Sequence, residues 1–281
     1  MVPTSGNKTI PFKKMHGLGN DFVIIDARGQ DFSFNEDQIK ILGNRNLGIG
    51  FDQLVTINTG SRKEISAHLN FWNSDGSVSL TCGNATRCVA DLLMSEMNCD
   101  ELIISTDHHE IECQKIDSKL ISTNLGQPKL SWDEIPLSRK CDTLSLPLEG
   151  NPVATSMGNP HCTYFVKDLE KESITDIGSE TEIHSLFPQK TNVQIAEVID
   201  SATIKAKVWE RGCGVTLASG SSACAVAVAS NRLGLTKGIV KIALEVGHLF
   251  VEWRQDGVWL TGPTAFVFSG KLFEDSLKIV S

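Results

Sequence analysis

The sequence has no excess of positive charge, no long apolar run, little proline and no closely spaced cysteine pairs. Of its 281 residues, 26 are Lys or Arg and 34 are Asp or Glu, a formal charge of −8. Such a balance argues against a nucleic-acid partner. No stretch reaches the roughly 18 apolar residues of a membrane span, and the start, MVPTSGNKTIPF, lacks the apolar core of a signal peptide. Nine prolines and 41% apolar residues are out of keeping with a disordered or fibrous chain. The eight cysteines are even in number, yet a chain of this length builds a core without covalent staples, so thiols in a reducing, cytoplasmic setting are expected. Cys82 and Cys88 are six apart and Cys213 and Cys224 eleven apart, neither being the short paired spacing of a structural zinc site. No metal is expected, and no glycine pattern resembles a nucleotide loop.

What the sequence does contain is an internal echo. MHGLGNDFVII at 15–25 lies over SMGNPHCTYFV at 156–166, with Asn20 on Asn159 at an offset of 139. Gln53 in FDQLVTI falls on Asn192 in TNVQIAEV at the same offset. Further on, NFWNSDG over KVWERGC matches Trp72 to Trp209 and Asn73 to Glu210, and SLTCGN over TLASGS matches Cys82 to Ser219 and Gly83 to Gly220, both at 137. A period this long is not that of a solenoid. It predicts an α+β protein of two pseudosymmetric domains, each a mostly antiparallel sheet curled around a central helix. The expected halves are 1–127, completed by a C-terminal segment 268–281, and 128–267, with the boundary in the polar stretch from Gly126 to Pro136.

Each half places a helix after the matched dipeptide. From Cys82, the positions Ala85, Val89, Leu92, Leu93 and Met97 form an apolar stripe at helical spacing. From Ser219, GSSACAVAVASNRLG is uniformly small and apolar, as in a buried helix, and ends at Gly234, a left-handed cap. Alternating runs such as KVWE, LFVEW and AFVFSG read as strands.

Helix starts offer unpaired N–H groups and a positive dipole end, which together cradle a carboxylate or phosphate. Gly83 and Gly220 let a ligand approach the backbone. The same field lowers the pKa of a thiol at such a start from about 8.5 toward neutrality, making Cys82 a candidate base. If the halves face each other, a carboxylate held between two opposed acid/base groups describes a racemase of amino-acid-like substrates.

The segments KMHGLGNDFVIID, FDQ, NSDGSVSLTCGNATRC, MGNPHC, TNV and ERGCGVTLASGSSACA, in this order, resemble the diaminopimelate epimerase family over nearly the whole chain. The resemblance implies cofactor-independent interconversion of LL- and meso-diaminopimelate in lysine and peptidoglycan precursor synthesis. It also implies an active site between two domains, and a homodimer with a small-molecule substrate and no membrane or nucleic-acid partner. It assigns two cysteines as the bases. Cys82 fills the first position, and Ser219 stands at the second. A hydroxyl is a weak base near neutrality and no activating partner is visible in the adjacent sequence, so impaired proton transfer is expected at that face. By the same resemblance Gly83, Asn84, Gly220 and Ser221 hold the reacting carboxylate. Asn20, Asn73, Asn159 and Asn192 bind polar groups of the substrate, Gln53 lies at the pocket edge, and Arg211 grips the distal carboxylate. Glu210 accepts from the substrate ammonium and, with His161, polarises the reacting amine. Two alternatives stay open at this point: a racemase or dehydratase of another amino acid in the same superfamily, and a catalytically dead amino-acid-binding relative.

Simpler roles are expected for the rest. Cys88 and Cys224 fall on the central helices and read as core. His108 and His109, beside Asp107, read as solvated surface, and Trp72 and Trp209 as packing residues. Glu210 and Arg211 are adjacent, so on a strand they face opposite ways; for both to serve one ligand the chain must turn there, as Gly212 and Gly214 permit.

Overall fold

The structure is a computed structural model that describes residues 9–30, 33–79 and 82–273. Two compact units emerge. Unit 1 takes the chain as far as Thr123 and resumes at Pro263; unit 2 is Asn124–Gly262. These edges fall a few residues before the expected 127/128 and 267/268.

Unit 1 contains β1 (Thr9–Gly17), β2 (Asn20–Asp26), α1 (Glu36–Gly43), β3 (Gln53–Asn58), β4 (Ala67–Asn73), β5 (Val78–Ser79), α2 (Gly83–Met97), β6 (Glu101–Ser105) and β7 (Glu110–Lys115), and the chain leaves it along β8 (Leu120–Asn124). Unit 2 contains β9 (Val153–Ser156), β10 (Pro160–Val166), α3 (Ile174–Glu182), β11 (Asn192–Asp200), β12 (Thr203–Glu210), β13 (Gly214–Thr216), α4 (Gly220–Arg232), β14 (Ile239–Leu244) and β15 (Gly247–Trp253), ending along β16 (Val258–Pro263). The last described strand, β17 (Ala265–Phe273), returns to unit 1 and pairs antiparallel with β1.

The two units share one strand grammar. From β2 to β8 the pairings are parallel with β3, antiparallel from β3 to β4 and β4 to β5, parallel from β4 to β6, then antiparallel through β7 and β8. From β10 to β16 the same series recurs. Even the registers agree: Phe22 opposes Gln53 as His161 opposes Asn192, and Leu54 opposes Trp72 as Val193 opposes Trp209. The sheets are mostly antiparallel with parallel ladders at equivalent places.

In unit 1 the stripe of α2 packs onto the sheet, with Ala85, Val89 and Leu93 buried among Phe22, Val55, Leu69 and Phe71. Leu92 is half-buried, and Met97, the end of the predicted stripe, is 51% exposed. Helix α4 is buried on nearly every side, from Ala223 through Ala229, which is why its sequence is small and apolar without a polar face. It stops at Arg232, and Gly234 takes the left-handed conformation at φ +71°. Each sheet also carries a short second helix. α1 starts in a capping box between Asn35 and Gln38, and α3 is capped by Ser173. Among the described residues no helix is long and apolar enough to cross a membrane.

Candidate active site

In unit 1, Cys82 is the N-cap residue of α2, with extended backbone at φ −152°, ψ 106° and no side-chain cap bond. Its thiol points instead to Asn20 Oδ1 at 3.8 Å. Asn84 Nδ2 donates to the same oxygen at 3.2 Å, while Asn20 Nδ2 donates to Asp52 Oδ2 at 2.9 Å. Asp52 therefore fixes which end of the Asn20 amide faces the thiol. Behind it Arg45 bridges Asp52 and Asp21, and the buried Lys14 bonds to Asp21 and to the Gly50 carbonyl. Burial would raise the Asp21 pKa, but hydrogen bonds from Arg45 and Lys14 and their charges hold it down at about 2. On the other side, Arg87, fully buried one turn into α2, donates to Asn84 Oδ1 at 2.5 Å, which turns the Asn84 amino group toward Asn20. Gln53 Nε2 bonds to Asn73 Oδ1 and Ser79 Oγ, and Asn73 Nδ2 to Ser77 Oγ, so this pair shapes the turn between β4 and β5. Cys88 is a core thiol that burial pushes up to about 12.

In unit 2, Ser219 is the N-cap residue of α4, at φ −140°, ψ 125° and again with no side-chain cap bond. Its hydroxyl donates to Glu210 Oε2 at 3.1 Å. The expected impairment rested on a serine without an activating partner, and the fold brings a carboxylate to it. Strand β12 ends at Glu210, and the chain turns through Arg211, Gly212 and Cys213 with Gly212 and Gly214 at positive φ. Glu182 anchors this turn: its oxygens accept from Gly212 N at 3.0 Å, Trp209 Nε1 at 2.7 Å and Lys190 Nζ at 3.2 Å. Trp209 thus does more than pack.

Two expected contact residues are used internally. Asn192 is buried, its Oδ1 accepting from Arg211 N at 3.0 Å and its Nδ2 donating to the Pro160 carbonyl at 2.9 Å. It positions the backbone of Arg211, whose side chain is exposed and bonds to the Gln189 carbonyl at 3.1 Å. His161 is fully buried, with Nε2 2.9 Å from Asn159 Oδ1 and Nδ1 3.0 Å from Gln194 Nε2. Burial, then the Arg211 charge, lowers its pKa to about 3. The ring is thus neutral with both nitrogens already partnered inside the protein, one of them by Asn159.

The sequence reading missed Gln194. Its Oε1 accepts from Thr163 Oγ1 at 3.0 Å, so its amino group is the end that donates to His161 Nδ1 and to Ser222 Oγ at 3.0 Å. The ring must then carry its proton on Nε2 and donate to Asn159 Oδ1, leaving the Asn159 amino group as the donor available outward. The signal was present: Gln194 is two residues past Asn192 on one strand, hence on the same face.

Each unit of this duplicated α+β fold has a helix start whose N-cap side chain, Cys82 in one and Ser219 in the other, carries a proton and makes no cap bond, the kind of group that acid/base isomerase chemistry needs. A family model for diaminopimelate epimerase matches residues 12–131 and 153–267. Over 271 residues the chain is 42% identical to a diaminopimelate epimerase of Phenylobacterium zucineum, covering 93% of this chain and 97% of that one. Over 262 residues it is 44% identical to that of Pelagibacter ubique, covering 90% and 94%. Among solved structures, a predicted epimerase from Pseudomonas aeruginosa shares the fold at TM-score 0.69 and 14% identity, covering 94% of this chain and 99% of that one. The chain belongs to the diaminopimelate epimerase family, isomerases of lysine biosynthesis.

Proposed function

We propose that this chain epimerises LL-diaminopimelate to meso-diaminopimelate without a cofactor, with Cys82 and Ser219 serving opposite faces of the α-carbon. The observation that carries this reading is the paired N-cap arrangement, in which neither reactive side chain caps its own helix. The first amides of α2 and α4, at Gly83, Asn84, Gly220 and Ser221, are thereby left for the α-carboxylate. Binding there delocalises negative charge from the α-carbon as the proton leaves, which is where a cofactor-independent reaction needs electrostatic help. Arg211 holds the distal carboxylate, Asn20 and Asn159 present oriented amides, and Glu210 accepts from the ammonium. Asn73, Asn192, Gln53 and His161 hold these groups in place.

The setting we infer is a homodimer in a bacterial cytoplasm. The exposed Phe266, Val267 and Phe268 on β17 support pairing of copies, and sedimentation at micromolar concentration tests it. The reaction itself is tested by proton NMR of both epimers in heavy water, following α-deuterium uptake and epimer formation. Exchange and epimerisation of diaminopimelate are expected; a folded protein that does neither, with Ser219 or with cysteine in its place, has another substrate.

A further inference from the structure

Serine is among the best N-cap residues because its hydroxyl accepts from an N–H in the first turn. Ser173 follows that rule at the start of α3, accepting from Asp176 N. Ser219 does not: its hydroxyl turns away from the helix start and donates to Glu210 Oε2 at 3.1 Å. The residue is 5% exposed, so this bond is made in a largely dry setting, and Glu210 is the last residue of β12, followed by a turn that Glu182 and Asn192 hold at three backbone and side-chain points. The carboxylate is therefore delivered to the hydroxyl by fixed elements.

We propose that Ser219 works as a proton relay and that Glu210 is the group that stores the proton. This rests on the reading of Ser219 as the residue facing the α-carbon. In the forward step the Cα–H bond breaks and an O–H bond forms at Ser219 Oγ, while the original Ser219 O–H proton moves to Glu210 Oε2. The carbanion is then protonated on its other face by the Cys82 S–H. In the reverse step Glu210 returns its proton to Oγ as the hydroxyl proton passes to carbon. Electrons and protons balance: a carboxylate and a thiol become a carboxylic acid and a thiolate, and exchange with solvent resets both. No alkoxide is formed at any stage, which removes the difficulty of using serine as a base near neutrality. A thiol in the same place ionises by itself, so Glu210 matters more to a hydroxyl than to a thiol.

That difference is the test. Epimerisation of diaminopimelate is measured for the full-length protein, Ser219→Cys, Glu210→Gln, Glu210→Asp and the Ser219→Cys/Glu210→Gln pair, with circular dichroism to verify folding. With serine at 219, Glu210→Gln is expected to lower kcat about 100-fold or more, in the range of general acid/base groups. With cysteine at 219 the same change is expected to cost less than about tenfold. Glu210→Asp should restore part of the serine enzyme's rate. The acid limb of its kcat profile should disappear in Glu210→Gln, and its proton inventory should bow for two protons in flight. Equal losses in the serine and cysteine backgrounds, especially as raised KM, would mean that Glu210 serves only the ammonium and would overturn the relay. An inactive serine protein beside an active Ser219→Cys protein would overturn it too while leaving the epimerase reading intact. Folded proteins that neither exchange nor epimerise this substrate sink both.

Discussion

Gln194→Leu separates an oriented imidazole from one that is merely buried. Leucine fills nearly the same volume, so little cavity is made, but three partners lose their bond: His161 Nδ1, Ser222 Oγ and Thr163 Oγ1. A hydroxyl can rotate about its C–O bond to seek another partner, whereas the ring nitrogen is fixed in the imidazole plane. A buried polar group left unsatisfied costs about 1–3 kcal/mol, so a loss in that range is expected, read as a lower urea midpoint at unchanged slope. Because the ring then exchanges between tautomers, Asn159 loses its fixed orientation, and kcat/KM should fall about 10- to 100-fold.

Gln194→Glu sharpens the test. A carboxylate cannot donate to Nδ1, so the ring must move its proton to Nδ1, and Asn159 must rotate its amide to keep a bond to Nε2. The ligand would then meet a carbonyl where it met an amino group. Nitrogen-15 NMR of the imidazole reports the tautomer directly. A wild-type ring protonated on Nδ1, or a Gln194→Leu loss below about 1 kcal/mol, would refute the chain of reasoning.

Further outcomes follow from the same contacts. His161 stays neutral to about 3 when folded against an ordinary value of 6.5, so between these pH values the unfolded chain takes up a proton that the native one refuses. Stability should therefore fall as pH drops through this window, by about 2 kcal/mol from pH 6.5 to 5, and His161→Asn should flatten the slope in urea titrations. Ser219→Ala loses no cap bond but does lose the bond to the Glu210 carboxylate, so it should lower the stability read from urea unfolding by about 1–3 kcal/mol, and Ser173→Ala should cost about 1 kcal/mol. Asp52→Ala frees the Asn20 amide beside the thiol and should slow α-proton exchange by roughly tenfold or more, while also losing the Arg45 pair and the bond from Asp21 N. At Gly178 an added Cβ would meet Trp209 Cγ at 2.6 Å, so Gly178→Ala should destabilise by about 1–3 kcal/mol and raise KM through the turn that carries Arg211.

Duplication was legible in the sequence because matched motifs mark equivalent strand positions: the offset of 139 reappears as equal registers in β2 with β3 and in β10 with β11, and that of 137 where Trp72 and Trp209 take equivalent places on β4 and β12. The central helices were legible for a local reason, the apolar stripe of α2 and the uniform small residues of α4. α1 and α3 were overlooked although their caps were written as Asn35 with Gln38 and Ser173 with Asp176, because eight- and nine-residue helices carry little periodicity. The parallel ladders were not readable at all, since alternation says which face a residue takes and not the direction of its neighbour. In the site, residue types were easier to find than their duties. Asn192 and His161 look like ligand contacts when read along the chain, yet their atoms are claimed by Pro160, Arg211, Asn159 and Gln194. Such assignments depend on which strands lie side by side, as does the meeting of Ser219 with Glu210, nine residues earlier.

That meeting sets the two helix starts apart chemically. The backbone at the two helix starts is nearly the same, φ −152° and −140° with ψ 106° and 125°, but the neighbours differ. Cys82 faces an amide oxygen, Asn20 Oδ1, which can accept its proton's hydrogen bond and cannot take the proton away. Ser219 faces a carboxylate, which can do both. A side chain that ionises near neutrality needs only the helix dipole and an orienting acceptor, whereas one that does not must pass its proton on. The relay proposed for Ser219 uses this pairing of side chain with neighbour, because a hydroxyl that hands its proton to Glu210 need not ionise by itself.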